Sequence, residues 1–145
     1  MLSFARRFAS LPRMDHAFPL LDYVSRHRLP IITIGAGETI FLKGDAADRM
    51  FVVRAGHVEI LMYGRVLERI GPGGIFGEMA LIDADTRSAA ALTRETCEAY
   101  AIDKSAFLTL VRQEPRFALA VLSIIAERMK RAASLAATVA KPKRP

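Results

Sequence analysis

The hydrophobic period changes twice along this chain and divides it into three parts. In "HAFPLLDYVSRHR", residues 16–28, Phe18, Leu21 and Val24 recur at near-helical spacing and Pro19 suits a first turn, which predicts a short helix. After Pro30 the period falls to two. The runs "IITI", "TIFLK", "MFVVR" and "HVEILMY", rich in β-branched and aromatic residues, predict strands. "YGRVLERI" predicts a hairpin turned near Gly64, and "SAAALTR" and "CEAYAID" predict two strands more. Gly35, Gly37, Gly44, Gly56, Gly64, Gly71, Gly73 and Gly74 fall at the breaks, a cadence that suggests a sandwich or barrel from about Pro30 to Ile102. From Asp103 the period is helical again. "DKSAFLTLVRQE" opens with an acidic N-cap residue, and Pro115 begins a longer helix that reaches about Val139.

On that long helix Leu122, Ile125, Met129, Ala132, Ala136 and Val139 recur at alternating steps of three and four, beside a second apolar row at Val121 and Ile124. Two rows call for two partners. One row can pack on the β part, and the other would stay exposed on a single copy, so pairing of two identical chains through this helix is expected. The competing reading buries both rows within one chain, with help from the early helix.

With 145 residues, 52% of them hydrophobic and 25% charged, the chain has the make-up of a folded domain with one core. The formal net charge of +6 is gathered at the ends, at Arg6, Arg7 and Arg13, at Arg128, Lys130 and Arg131, and at Lys141, Lys143 and Arg144. Solvated, frayed termini account for it, with nucleic-acid or membrane contact as the alternative. The single cysteine, Cys97, excludes an intrachain disulfide and a cysteine-built metal site, and it suits a reducing cytoplasm. No apolar run approaches the roughly twenty residues of a membrane span, and the first residues lack the apolar core of a secretory signal.

The candidate chemistry lies in "FGEMALIDADTRSAA", residues 76–90. Gly77 permits a backbone turn closed to residues with a Cβ, and Met79 to Ile82 suit a single helical turn. A helix start offers unpaired amides to an anion, Arg87 can add a bidentate guanidinium, and Ser88 a hydroxyl. Glu78 would be repelled by that anion, so it is directed elsewhere on the same ligand, with a sugar hydroxyl as the obvious target. A compact ribose phosphate, such as a cyclic nucleotide, has both features. On the residues alone a second reading stands level: a Glu78–Arg87 ion pair pins a loop while Ala80, Leu81 and Ala89 fill the core.

The segment "GEMALIDADTRSA" strongly resembles the phosphate-binding cassette of cyclic nucleotide-binding domains, including the spacing from glutamate to arginine. "GETIFLKGDAADRMFVVRAGHVEIL" looks like the early strands of that family, and "FLTLVRQEPRFALAVLSIIAERM" is similar to its closing helices, so the resemblance covers roughly Pro30 to Arg131. It implies a Crp/Fnr-like effector domain of α+β class. The fold would be an antiparallel, jelly-roll-like β-roll of about eight strands with a short N-terminal helix, a short cassette helix and two C-terminal helices. It further implies that Glu78 holds the ribose 2′-hydroxyl and Arg87 the cyclic phosphate, and that the backbone of Gly77, Met79 and Ala80, with Ser88 and Ala89, completes the phosphate cradle. Neither charged residue is replaced, as it usually is in members that have lost the ligand.

Two departures bear on these expectations. Thr86 stands where many members carry proline, which loosens the cassette without removing a ligand. The hydroxyl-bearing positions that meet the base in the catabolite-activator branch fall here on Ala132 and Ala133, leaving Arg128, Arg131 and Ser134 as base or lid candidates and cAMP against cGMP open. No helix-turn-helix follows the long helix, so this chain is expected not to act alone as a transcription factor. A metal-dependent cupin enzyme is the catalytic rival, but His16, His27 and His57 are scattered singly and read as surface histidines, and no nucleophile has a partner in sequence. The expectation is a non-enzyme without catalytic residues, metal or cofactor. It has a flexible basic start at 1–15, a cyclic nucleotide-binding domain at 16–139 and a basic tail at 140–145. Ligand binding would move the C-terminal helices and signal to an unknown downstream protein, or the fold would serve as a ligand-free interaction module.

Overall fold

Eight strands and four helices form among the residues that the computed structural model describes, 18–83 and 85–140, with side chains to residue 137. The basic termini and His16 lie outside the described residues. In chain order the elements are α1 (Leu20–Ser25), β1 (Ile31–Ile34), β2 (Thr39–Phe41), β3 (Arg49–Ala55), β4 (Val58–Met62), β5 (Arg65–Ile70), β6 (Ile75–Phe76), α2 (Met79–Ile82), β7 (Ala90–Leu92), β8 (Cys97–Asp103), α3 (Lys104–Gln113) and α4 (Arg116–Ala140). Pro19–Glu114 makes one compact unit, and α4 belongs to another.

The strands form two antiparallel sheets, ordered β1-β8-β3-β6 and β2-β7-β4-β5, which gives the expected β-roll. Their facing sides share a core of Ile34, Phe51, Val53, Val58, Ile70, Phe76, Ala91, Cys97, Ala99 and Ala101. The β4–β5 hairpin turns at Tyr63 and Gly64, both left-handed at φ 51° and 75°, as a two-residue turn of the matching twist demands. In β3 the burial departs from the period of two. Met50, Phe51, Val52 and Val53 are all buried, because α1 packs on the outer side of β3 while α3 covers β8. The hydroxyl of Tyr23 on α1 donates to the carbonyl of Leu110 on α3 at 2.7 Å, and His27 reaches Gln113 at 2.9 Å, so the two helices are tied together.

The acidic N-cap is realised on α3, where Asp103 Oδ1 accepts the Ala106 amide at 2.8 Å. On α4 the first apolar row lies exposed at Leu122, Met129, Ala132 and Ala136, whereas Val121 of the second row is buried. No helix among the described residues is long and apolar enough to cross a membrane.

Candidate nucleotide-binding site

The cassette begins where β6 ends. Gly77 takes φ 73°, a conformation that an L side chain rarely adopts, and a Cβ placed there would lie 2.6 Å from Arg87 Nη1. The turn sends the chain into α2, with Glu78 at its N-cap position and buried. Met79 is exposed and Ala80 half-buried on α2, and after the loop Ser88 is exposed while Ala89 is buried at the approach to β7. The Ala80 amide is turned back onto the Gly77 carbonyl at 3.3 Å, so one amide of the expected cradle already has an internal, long partner.

Arg87 is the centre of the arrangement. Only 8% of it is exposed, and its guanidinium donates to two main-chain carbonyls, Nη1 to Gly77 at 3.1 Å and Nη2 to Arg49 at 2.8 Å. Its Nε is buried and has no hydrogen-bond partner among the described residues. A charged donor withdrawn from water and met only by neutral carbonyls is costly, and an arriving anion offsets that cost. Burial accordingly holds the Arg87 pKa below its ordinary value. The charge of Asp48 opposes this, Arg49 adds to it, and Asp45 and Glu78 favour the cation, which puts Glu78 within electrostatic reach of Arg87.

Aromatic rings lie beneath the guanidinium. Its central carbon stands 4.2 Å from the Phe41 ring centroid and 5.6 Å from that of Phe51. Phe51 stacks on Phe76 at 4.9 Å, and Phe41 lies 6.1 Å from Phe76. The main chain around Arg87 is clamped as well. Gly44 donates to the Arg87 carbonyl and the Arg87 amide to the Asp45 carbonyl, both at 2.8 Å, and Ala47 donates to Asp85 at 2.9 Å. The Asp45 carboxylate accepts the Leu42 amide at 2.8 Å and so shapes the loop that does the clamping. Ala46 and Thr86 pair as an isolated bridge whose two hydrogen bonds run through flanking residues. The cassette is therefore held on both sides of Thr86 without help from that residue's own amide.

The structure brings Gly77, Glu78 and Arg87 together in the Pro19–Glu114 unit, whereas Arg128, Arg131 and Ser134 follow one another along α4, the first half-buried and the other two exposed. Sequence reasoning missed Phe41, the Arg49 carbonyl and the Gly44–Asp45 clamp. "TIFLKGD" announced only a strand and a break, and a carbonyl leaves no mark in a sequence. Elsewhere, His27 is half-buried and bonded to the Tyr23 carbonyl and Gln113, and half-buried His57 pairs with Glu95 at 2.8 Å, so neither stands free on the surface. Among the described residues no cluster of three or more histidine, cysteine or acidic side chains could hold a metal ion. Cys97 is fully buried, which pushes its thiol pKa up.

Comparison with known proteins meets the same elements. The model of the cyclic nucleotide-binding domain matches residues 31–114, from the first residue of β1 to the end of α3. The cyclic AMP receptor protein of Thermus thermophilus is 32% identical over 117 residues, which cover 77% of this chain and 52% of that protein. The solved catabolite activator protein of Thermus thermophilus superposes with a TM-score of 0.70 at 28% identity, over 91% of this chain and 62% of that one. The c-di-GMP responsive global regulator CLP of Xanthomonas campestris gives 0.72 at 25% identity, over 86% and 65%. The chain spans about half the length of the curated relatives it matches. Since the matched span takes in every strand, the cassette helix and the arginine clamped beside it, this chain belongs to the cyclic nucleotide-binding domain family.

Proposed function

We propose that this chain binds a cyclic mononucleotide, cAMP or cGMP, and serves as a regulatory rather than catalytic module in the cytoplasm. Arg87 holds the cyclic phosphate and Glu78 the ribose 2′-hydroxyl, while the backbone of Gly77, Met79 and Ala80, with Ser88 and Ala89, completes the cradle. The observation that carries this reading is the buried Arg87 cation with an open Nε and neutral acceptors. Binding then shifts the C-terminal helices, with Arg128, Arg131 and Ser134 of α4 as the base or lid residues, and a partner protein reads the shift. A coupling of about 1–3 kcal/mol between ligand and helix position is enough for a switch, and it is reciprocal, so the partner tightens ligand binding. Isothermal titration with cAMP, cGMP and c-di-GMP tests the reading. Saturable heat with either mononucleotide supports it, and its absence at millimolar ligand overturns it.

One observation favours the ligand-free module: the two Nη groups of Arg87 and the Ala80 amide already have internal partners. That module would give no heat with any of the three nucleotides.

The exposed Leu119, Leu122, Met129 and Leu135 of α4 support a homodimer paired through that helix. Sedimentation velocity is expected to show a dimer that Leu122→Glu with Met129→Glu converts to a monomer.

Gly77→Ala is expected to weaken nucleotide binding about 30-fold or more. The substitution adds about 1–2 kcal/mol of left-handed backbone strain and drives the new methyl against Arg87 Nη1. An affinity within threefold of the parent would show that the turn tolerates a side chain.

A further inference from the structure

We propose that Phe41 is a positioning residue for Arg87, its ring face fixing the plane in which the guanidinium meets an anion. This rests on the nucleotide-binding reading of the same site.

The β2–β7 ladder pairs Thr39 with Leu92 but Phe41 with Ala91, so Ile40 is an extra residue opposite that pair. In a regular strand neighbouring side chains point to opposite faces. Here Ile40 and Phe41 both pack against the core, which is what a bulge achieves when it re-aims a side chain. The re-aimed ring lies 4.2 Å below the Arg87 guanidinium carbon.

The hydrogen bonds alone leave a degree of freedom. Nη1 and Nη2 are fixed at Gly77 and Arg49, yet the guanidinium can still tilt about the line through these two anchors. A ring packed against its face stops that tilt, and the direction of the open Nε is then set. The negative face of an aromatic ring also attracts a cation, most strongly where water is excluded, as it is around a side chain 8% exposed. Phe51 and Phe76 pack beside Phe41, at 6.4 and 6.1 Å, and hold its ring in place.

The test replaces Phe41 with mono-, di- and trifluorophenylalanine, which drain the ring face stepwise while keeping its shape, and adds Phe41→Leu and Phe41→Tyr. Affinity for cAMP and cGMP is measured by titration, and thermal unfolding is followed without nucleotide. The expected result is a graded loss of affinity along the fluorine series, about tenfold at its end, with the unfolding midpoint nearly constant. Phe41→Leu falls at or below the end of the series and Phe41→Tyr returns near the parent. A flat affinity series, with only Phe41→Leu lowering the midpoint, would make Phe41 a core filler and overturn the proposal.

If the parent chain binds neither nucleotide, the binding reading fails, and the positioning claim is judged without ligand. Nuclear magnetic resonance of the Arg87 side chain should then show guanidinium rotation quickening with each fluorine, and unchanged rotation overturns the claim.

Discussion

Arg87→Ala is expected to lower affinity for cyclic nucleotide by about two to four orders of magnitude. A charge-assisted hydrogen bond contributes about 1.5–3 kcal/mol, a cyclic phosphate offers room for two of them, and each 1.4 kcal/mol is a factor of ten. The fold should survive. The variant leaves the carbonyls of Gly77 and Arg49 without their donor, but it also removes a buried charge, and these effects oppose each other. Arg87→Lys should recover little, since a point charge on a flexible stem cannot reach both carbonyls in one plane. Titration calorimetry beside a thermal melt separates the outcomes: a melt within a few degrees of the parent with binding lost is the expected pair, and near-parental affinity would remove the cassette from the mechanism.

A second large effect is expected in stability. Phe76→Ala should cost about 3–5 kcal/mol, because it deletes a fully buried ring that nothing nearby can replace. The ring stacks on Phe51 at 4.9 Å, lies 6.1 Å from Phe41, and belongs to the last residue before the Gly77 turn. Domains of this size are stable by about 5–15 kcal/mol in all, so the loss is about a fifth or more of the total. Denaturant unfolding reads it directly. Val66→Ala on the exposed side of β5 is the control and should stay within about 0.5 kcal/mol. A cost under about 1 kcal/mol for Phe76→Ala would mean that the aromatic floor is not part of the cooperative core.

Much of this architecture was legible because period and punctuation agreed. The hairpin at Gly64, the cap at Asp103 and the restart of helix after Pro115 each follow from one or two residues whose chemistry permits little else. What escaped had physical reasons. The strand Ile75–Phe76 is too short to show a period, and the continuous burial of β3 depends on a helix more than twenty residues away in sequence. In the site, Gly77, Glu78 and Arg87 were visible as types and spacing, whereas the floor under Arg87 comes from "TIFLK", which the strand pattern had already explained. The loosening expected from Thr86 in place of proline meets a clamp from residues 44–47, and no local pattern in the cassette announces that clamp.

The bridge at Ala46 and Thr86 has a practical consequence. Since the tether uses neither the amide nor the side chain of Thr86, and that side chain faces water, this position can carry a foreign group without loosening the arginine beside it. The native thiol is sealed in the core, with a raised pKa that keeps it out of alkylation chemistry. Thr86→Cys would therefore give a single addressable thiol one residue from Arg87, and a fluorophore attached there would convert this chain into its own indicator of ligand arrival.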